Sequence, residues 1–175
     1  MSGEEVVCLV TRAGDEIEVG PLRPDEHGAL FALFDSVVAT GEGFPQAPPL
    51  TYQVFDATWV GGVTVTVVAR RRGEVAGAYY LKPNFAPRAG HIANAGYVVA
   101  TGHRHRGIGR ALIEDSIRRA PLAGFDAIQF NLVFESNPAR ALYEELGWRE
   151  IGRVPKAVDG EDAVIYWREV GSSDG

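Results

Sequence analysis

The sequence predicts an α/β fold: a mixed, mostly antiparallel sheet of six to seven strands with helices on both faces. Three observations predict it. Runs rich in β-branched and aromatic residues at 63–69 and 75–81, and again at 148–154 and 163–168, stand too close together in pairs to be anything but hairpins. A helix-period run at 107–119 separates the strand-like segments 92–100 and 126–134, a crossover that favours parallel neighbours. The chain has 175 residues, 46% of them apolar, enough for one domain with a full core. Residues 1–175 therefore read as a single domain, with a core at about 16–169 and a flexible tail at 170–175.

The elements follow in order. Residues 16–19 form a short first strand, closed by Gly20-Pro21. Pro24-Asp25 opens a helix whose apolar face is Leu30, Phe31, Leu33, Phe34, Val37 and Val38. Residues 40–50 hold three prolines and two glycines, a loop composition. Residues 51–60 read as a second helix. The link 70–74 joins the first hairpin, and 82–90 is a loop. Residues 92–100 are a strand, 107–119 a helix stopped by Pro121 and Gly124. Residues 126–134 have almost no polar break except Gln129 and Asn131, so this strand is expected to be central and buried on both faces. Residues 137–146 are a helix ended by Gly147, and the last hairpin turns at Val158-Asp159-Gly160. No internal repeat or low-complexity segment interrupts this order.

The run Arg104-His105-Arg106-Gly107-Ile108-Gly109-Arg110-Ala111-Leu112 carries the strongest chemical signal. It lies between a strand and a helix. Its two glycines permit a sharp turn and a close ligand approach. The first helical amides have no intrahelical partner and carry the positive end of the helix dipole, so such a place binds phosphate. Three arginines and a histidine within seven residues add positive potential.

Arg104-x-x-Gly107-x-Gly109 resembles the signature of the GNAT family of N-acetyltransferases. Asn137-Pro-Ala-Arg-Ala-Leu-Tyr143-Glu-Glu-Leu-Gly-Trp148 is similar to that family's later Asn-to-Gly-Phe element, one residue shorter than the commoner spacing. The resemblance spans residues 16–169. The segments Asn94 to Val99 and Phe130 to Asn137 also resemble fungal acetyltransferases that detoxify proline analogues such as azetidine-2-carboxylate. The resemblance implies the GNAT acyl-CoA N-acyltransferase fold and acetyl-CoA as acetyl donor, used as a cosubstrate. Transfer to the amine of a small molecule, an amino acid or a toxic analogue, is implied with it.

It implies site residues as well. The cofactor would be held by Arg104, His105, Arg106, Gly107, Ile108, Gly109 and Arg110, with backbone groups of Tyr97 and Val99 pairing with pantetheine. Asn137 contacts the cofactor by the same resemblance, while its place at a helix start reads as an N-cap. Gly96 within the strand marks a bulge or a close ligand approach. Tyr143 is the candidate general acid, since a tyrosine is protonated at neutral pH. The strand at 92–99 carries no carboxylate. His91 at its start is therefore the candidate base, with Glu135 behind it. Asn94 and Asn131 either satisfy local backbone or line the acceptor pocket, and the pocket is the favoured reading.

Other functions fit less well. A net charge of −6 argues against general nucleic-acid binding. No apolar run approaches a bilayer span, and acids stand at the start where a secretory signal has positive charge; a cytoplasmic protein is expected. One cysteine, Cys8, excludes an internal disulfide and a cysteine-rich zinc site. His103 and His105 need no metal, because phosphate binding explains the same cluster. The glycines lack the Gly-Lys-Ser/Thr of a P-loop. A protein N-terminal or lysine acetyltransferase and a catalytically inactive acyl-CoA-binding module remain as alternatives. Dimers are common in the family, so a homodimer through the C-terminal strands is an expectation.

Overall fold

A computed structural model describes residues 5–171; the tail beyond Gly171 lies outside them. Eight strands form one sheet in the order β1-β2-β3-β4-β5-β6-β8-β7. They are β1 (Val7–Val10), β2 (Glu16–Pro21), β3 (Val65–Arg71), β4 (Glu74–Pro83), β5 (Ile92–Val99), β6 (Ala127–Phe134), β7 (Arg149–Val158) and β8 (Glu161–Glu169). Every pairing is antiparallel except β5 with β6. Helices α1 (His27–Thr40) and α2 (Tyr52–Trp59) cover one face, α3 (Ile108–Leu122) and α4 (Arg140–Glu145) the other. The mixed α/β class is as expected, with eight strands in place of six or seven.

Local chemistry explains the elements. α1 buries Leu30, Leu33, Phe34, Val37 and Val38, one helical stripe, and stops at Gly41 in the left-handed region, φ 73°. Thr51 caps α2 by accepting from the Val54 amide at 3.2 Å. The β3–β4 hairpin turns on Arg72-Gly73, both with positive φ, the pattern that matches strand twist. The turn is therefore shorter than the link at 70–74, and the strands run further into it.

Three elements differ from expectation. β1 pairs with β2 over Val7↔Val19 to Val10↔Glu16. It is four residues long and buries little, so its sequence signal is weak. α3 runs through Pro121 to Leu122; a proline in the last turn forfeits one helical hydrogen bond and does not stop the helix. α4 is six residues long, not ten, because Asn137 first forms a side-chain turn, its Oδ1 accepting from Ala139 N at 2.9 Å.

Two apolar layers flank the sheet. One centres on Phe34, Phe55, Trp59, Val68 and Tyr80, the other on Tyr79, Leu81, Leu112, Ile128 and Tyr166. α3 is also held by buried polar bonds. Asp115 accepts from the Tyr79 hydroxyl at 2.7 Å, from Arg118 at 2.7 Å and from Arg119 Nε at 3.1 Å. Ser116 Oγ lies 2.7 Å from the Tyr97 hydroxyl. The Tyr79 and Tyr97 bonds tie the middle of α3 to β4 and β5. Among the described residues, no helix is long and apolar enough to cross a membrane.

Candidate active site

β5 and β6 start side by side and then part. Their ladder holds only Ile92↔Ala127 and Ala93↔Ile128. One residue on, the Asn94 side chain bridges the strands, Nδ2 donating to the Gln129 carbonyl at 3.1 Å. Beyond it the strands have no backbone pairing. The alternation of β5 shows what faces the gap. Asn84 N donates to Ile92 O and Ala100 N to Ala76 O, both towards β4, while His91 O accepts from Asp126 on the other side. Backbone groups of Ala95, Tyr97 and Val99 therefore point into the opening. β6 is central but not buried throughout: Asn131 and Leu132 are exposed in the gap, and a bulge against β8 lies between Phe130 and Val133.

The gap opens into a cleft of about 860 Å³. Its walls are the free edge of β5, the second half of β6, the start of α4 and the loop after α1. At one end lies the basic loop. His105 and Gly107 have φ of 59° and 79°. A Cβ on Gly107 would also stand 3.3 Å from Arg12 N and Thr11 Cβ, so conformation and space both require glycine. α3 begins at Ile108 and presents its unpaired first amides.

The arginine side chains are less available than their number suggests. Arg104 pairs with Glu42 at 2.9 Å, Arg106 with Asp15 at 3.5 Å, and Arg110 with Glu145 at 2.6 Å and Glu114 at 3.4 Å. His103, Arg104, His105, Ile108 and Gly109 line the cleft, whereas Arg106, Gly107 and Arg110 do not. The backbone amides at the start of α3 are thus more available as hydrogen-bond donors than the ion-paired arginines.

Tyr143 lines the cleft from α4. Its ring sits among Phe130 at 4.7 Å, Trp148 at 6.0 Å, Tyr166 at 6.1 Å and Tyr97 at 6.4 Å. Burial pushes its hydroxyl well above the ordinary tyrosine pKa. That hydroxyl makes no hydrogen bond among the described residues. Asn137, on the same wall, faces Gly43 of the loop after α1.

The other end is lined with amides. Asn94 and Asn131 both line it. Asn131 Oδ1 accepts from Asn84 Nδ2 at 3.1 Å and Gln129 Nε2 at 3.0 Å, and Asn131 Nδ2 donates to Asn84 Oδ1 at 2.6 Å. The Tyr80 hydroxyl, its pKa pushed up to about 12 by burial, donates to Asn94 Oδ1 at 3.3 Å. Gly96 is what makes room for it: a Cβ there would come within 2.8 Å of the Tyr80 ring. The glycine thus admits a neighbouring ring, with no bulge between β4 and β5.

His91 does not join this group. It is exposed at the closed end of the seam, outside the cleft, with the Asn94 bridge between it and the gap. Its position gives no support to a role as base. Glu135 is also outside, paired with Arg153 at 2.8 Å. The carboxylates that do line the cleft are Glu42, Asp159 and Glu161. Glu161 accepts from the amide and hydroxyl of Ser136 at 2.9 and 3.0 Å. These, with Phe44, Gln46 and Tyr80, were not legible as site residues. Loop composition hides the first group, and Glu161 reaches the cleft only through the last hairpin.

A second hollow of about 460 Å³ near Cys8, Glu18 and Arg70 has its main charges already paired, Arg70 with Glu26 and Glu18. No cluster of three metal-ligating side chains exists among the described residues.

The model of the "Acetyltransferase (GNAT) family" matches residues 24–148. The chain belongs to this family. The matched span runs from the start of the segment leading into α1 to Trp148 and contains both halves of the split seam. N-acetyltransferase aca1 of Schizosaccharomyces pombe is 42% identical over 97 residues, 51% of this chain and 46% of that protein. The chain thus spans about half the length of this curated relative. A GCN5-related N-acetyltransferase from Kribbella flavida has the same fold, with a TM-score of 0.81, 34% identity, and coverage of 87% of this chain and 97% of that one. The protein yncA of Salmonella typhimurium, solved with its cofactor acetyl-CoA, shares the fold at 14% identity, a TM-score of 0.78 and coverage of 91% and 96%.

Proposed function

We propose that the protein transfers the acetyl group of acetyl-CoA to the amine of a small molecule, an amino acid or a toxic analogue such as azetidine-2-carboxylate. The observation that carries this reading is the split seam: an edge of β5 with no strand partner, in a cleft lined also by the start of α3 and by Tyr143. The residues fit the donor. The amides at the start of α3 suit a pyrophosphate, and the gap-facing groups of Tyr97 and Val99 suit the amides of a pantetheine arm. Arg104, His105, Ile108 and Gly109 line that stretch, and Asn137 flanks it. When bound, the donor supplies an activated thioester.

The chain's residues do the rest. Tyr143 holds a proton at its hydroxyl and gives it to the sulfur as the carbon–sulfur bond breaks and the carbon–nitrogen bond forms. It then regains one from solvent, which takes the proton that the amine loses. Asn94 and Asn131 hold the acceptor's carboxylate or carbonyl. The amides available near them, and the limited volume of the cleft, favour a small acceptor over a protein tail. The same reading includes a cytoplasmic protein that dimerises through its C-terminal strands; β7 is an outer strand with Ile151 and Val154 exposed.

Thiol release from acetyl-CoA across a panel of amino acids, proline analogues and basic peptides tests the proposal. Turnover with small amines is expected. Preference for peptides would make it a protein acetyltransferase. Tight acetyl-CoA binding with no thiol release from any amine would make it a binding module.

A further inference from the structure

The loop between α1 and α2 holds an unused hydrogen-bond acceptor. Gln46 lines the cleft, and its Oε1 is buried with no partner among the described residues. A buried carbonyl oxygen left unpaired is costly, and such groups are completed by a donor that comes from elsewhere. The placement is not a loose end of a mobile loop. Phe44, two residues earlier, packs edge-on against Phe34 at 5.0 Å and lies 6.3 Å from Trp59. Glu42 ties the same loop to Arg104, and Gly43 faces Asn137. The loop is thus pinned to the helical layer and to both flanks of the cleft.

The lining of the same cleft also holds donors. Asn131 spends its oxygen twice within the amide cluster, on Asn84 and on Gln129. Of the amides that line the cleft, Asn131 Nδ2 donates once, to Asn84 Oδ1, and Asn94 Nδ2 once, to the Gln129 carbonyl, so each retains a second N–H. The cleft lining therefore holds both N–H groups and a bare C=O. A ligand that satisfies both carries acceptor oxygens at one end and an N–H at the other.

We propose that Gln46 is the acceptor-amine ligand: its Oε1 takes an N–H of the substrate nitrogen while the amide wall takes the substrate's carboxylate or carbonyl. This deepens the proposed function and rests on it. A neutral secondary amine has one N–H. With that hydrogen held by Gln46, its lone pair has a fixed direction and stays free to attack. The ligand class is then an α-amino acid or a close analogue, selected for its nitrogen as well as its carboxylate.

The test compares wild type, Gln46→Met and Gln46→Glu with amines returned by the acceptor screen, beginning with azetidine-2-carboxylate. Cyclobutanecarboxylate, which has carbon where that ring has N–H, serves as the matched probe for calorimetry in the presence of coenzyme A. Wild type is expected to prefer the amine, and Gln46→Met to bind the two about equally. Its acceptor KM rises about tenfold or more, with the acetyl-CoA KM little changed. Gln46→Glu keeps an acceptor and adds charge, so it favours the bound ammonium form and moves the acidic limb of kcat, which reports the bound amine, to higher pH; a packing role would leave that limb in place. A rise in the acetyl-CoA KM instead, or an unchanged preference in Gln46→Met, overturns the assignment while leaving the acetyltransferase reading intact. Failure of wild type to bind or acetylate any small amine overturns the reading itself, and the assignment with it.

Discussion

Replacing Tyr143 by Phe separates chemistry from packing, because the hydroxyl and the ring do different things. The ring is buried among four aromatic neighbours, with Phe130 as near as 4.7 Å. Phe keeps those contacts. The hydroxyl has no protein partner among the described residues, so its loss leaves no buried group unpaired. Stability is expected to change by less than about 1 kcal/mol. A general acid contributes roughly 10²–10⁴-fold, so kcat is expected to fall by that factor, about 2.7–5.5 kcal/mol of barrier. Tyr143→Ala, by contrast, removes the ring and should cost about 3–5 kcal/mol of stability. Thiol release at saturating acetyl-CoA, alongside a thermal melt, reads both. A kcat within about threefold of wild type in a Tyr143→Phe protein of unchanged Tm would refute the general-acid role. The pH profile gives an independent check. Burial favours the neutral phenol, so the folded pKa lies above the unfolded value of about 10. Stability from this term is present below pH 10 and lost as pH rises above it. In activity, kcat/KM rises as the amine deprotonates and shows no descending limb from Tyr143 below about pH 10. A descending limb at neutral pH that vanishes in the Phe variant would contradict the burial argument.

Three further outcomes follow. Gly107→Glu puts bulk and negative charge into a left-handed position beside Arg12 N, and should weaken acetyl-CoA binding by tenfold or more, about 1.4 kcal/mol; unchanged affinity in a folded variant removes the loop from the donor site. Asn94→Ala removes the bond to Gln129 O and should raise the acceptor KM more than the acetyl-CoA KM, and the opposite order would assign Asn94 to the donor side or to the fold. Asp115→Ala takes from Arg119, which is 1% exposed, the carboxylate it bonds; a loss of about 3–5 kcal/mol is expected in chemical denaturation, and a loss under 1 kcal/mol would show that the contact does little to hold α3.

The sequence made the motif elements legible because their chemistry is local. A loop at 104–109 needs glycine at a left-handed position, and Tyr143 follows Asn137 along one short segment. Asn94 and Asn131 stood out as amides in apolar strands, and both line the cleft. The placement of His91 outside the cleft was not legible, because proximity along a strand says nothing about which end of the strand opens. At Gly96 the bulge is absent, and the room it makes for the Tyr80 ring could not be read because that ring belongs to the neighbouring strand. The arginines looked free because their partners, Glu42, Asp15 and Glu145, lie far away in the chain. Gln46 carried no signal at all in a loop of prolines and glycines. β1 fell short because four residues with alternate burial resemble any surface run.

The split seam has a mechanical consequence. Five strands lie on one side of it and three on the other, and two register pairs are all the backbone ladder that joins them. The sheet is two plates hinged at one end, with α3 as the strut between them. A molecule seated in the gap touches both plates and acts as mortar for the protein's own weakest joint. Acetyl-CoA should then raise Tm in a concentration-dependent way. Amide exchange should slow on both plates at once, including positions far from any ligand atom, because the ligand bridges the two plates.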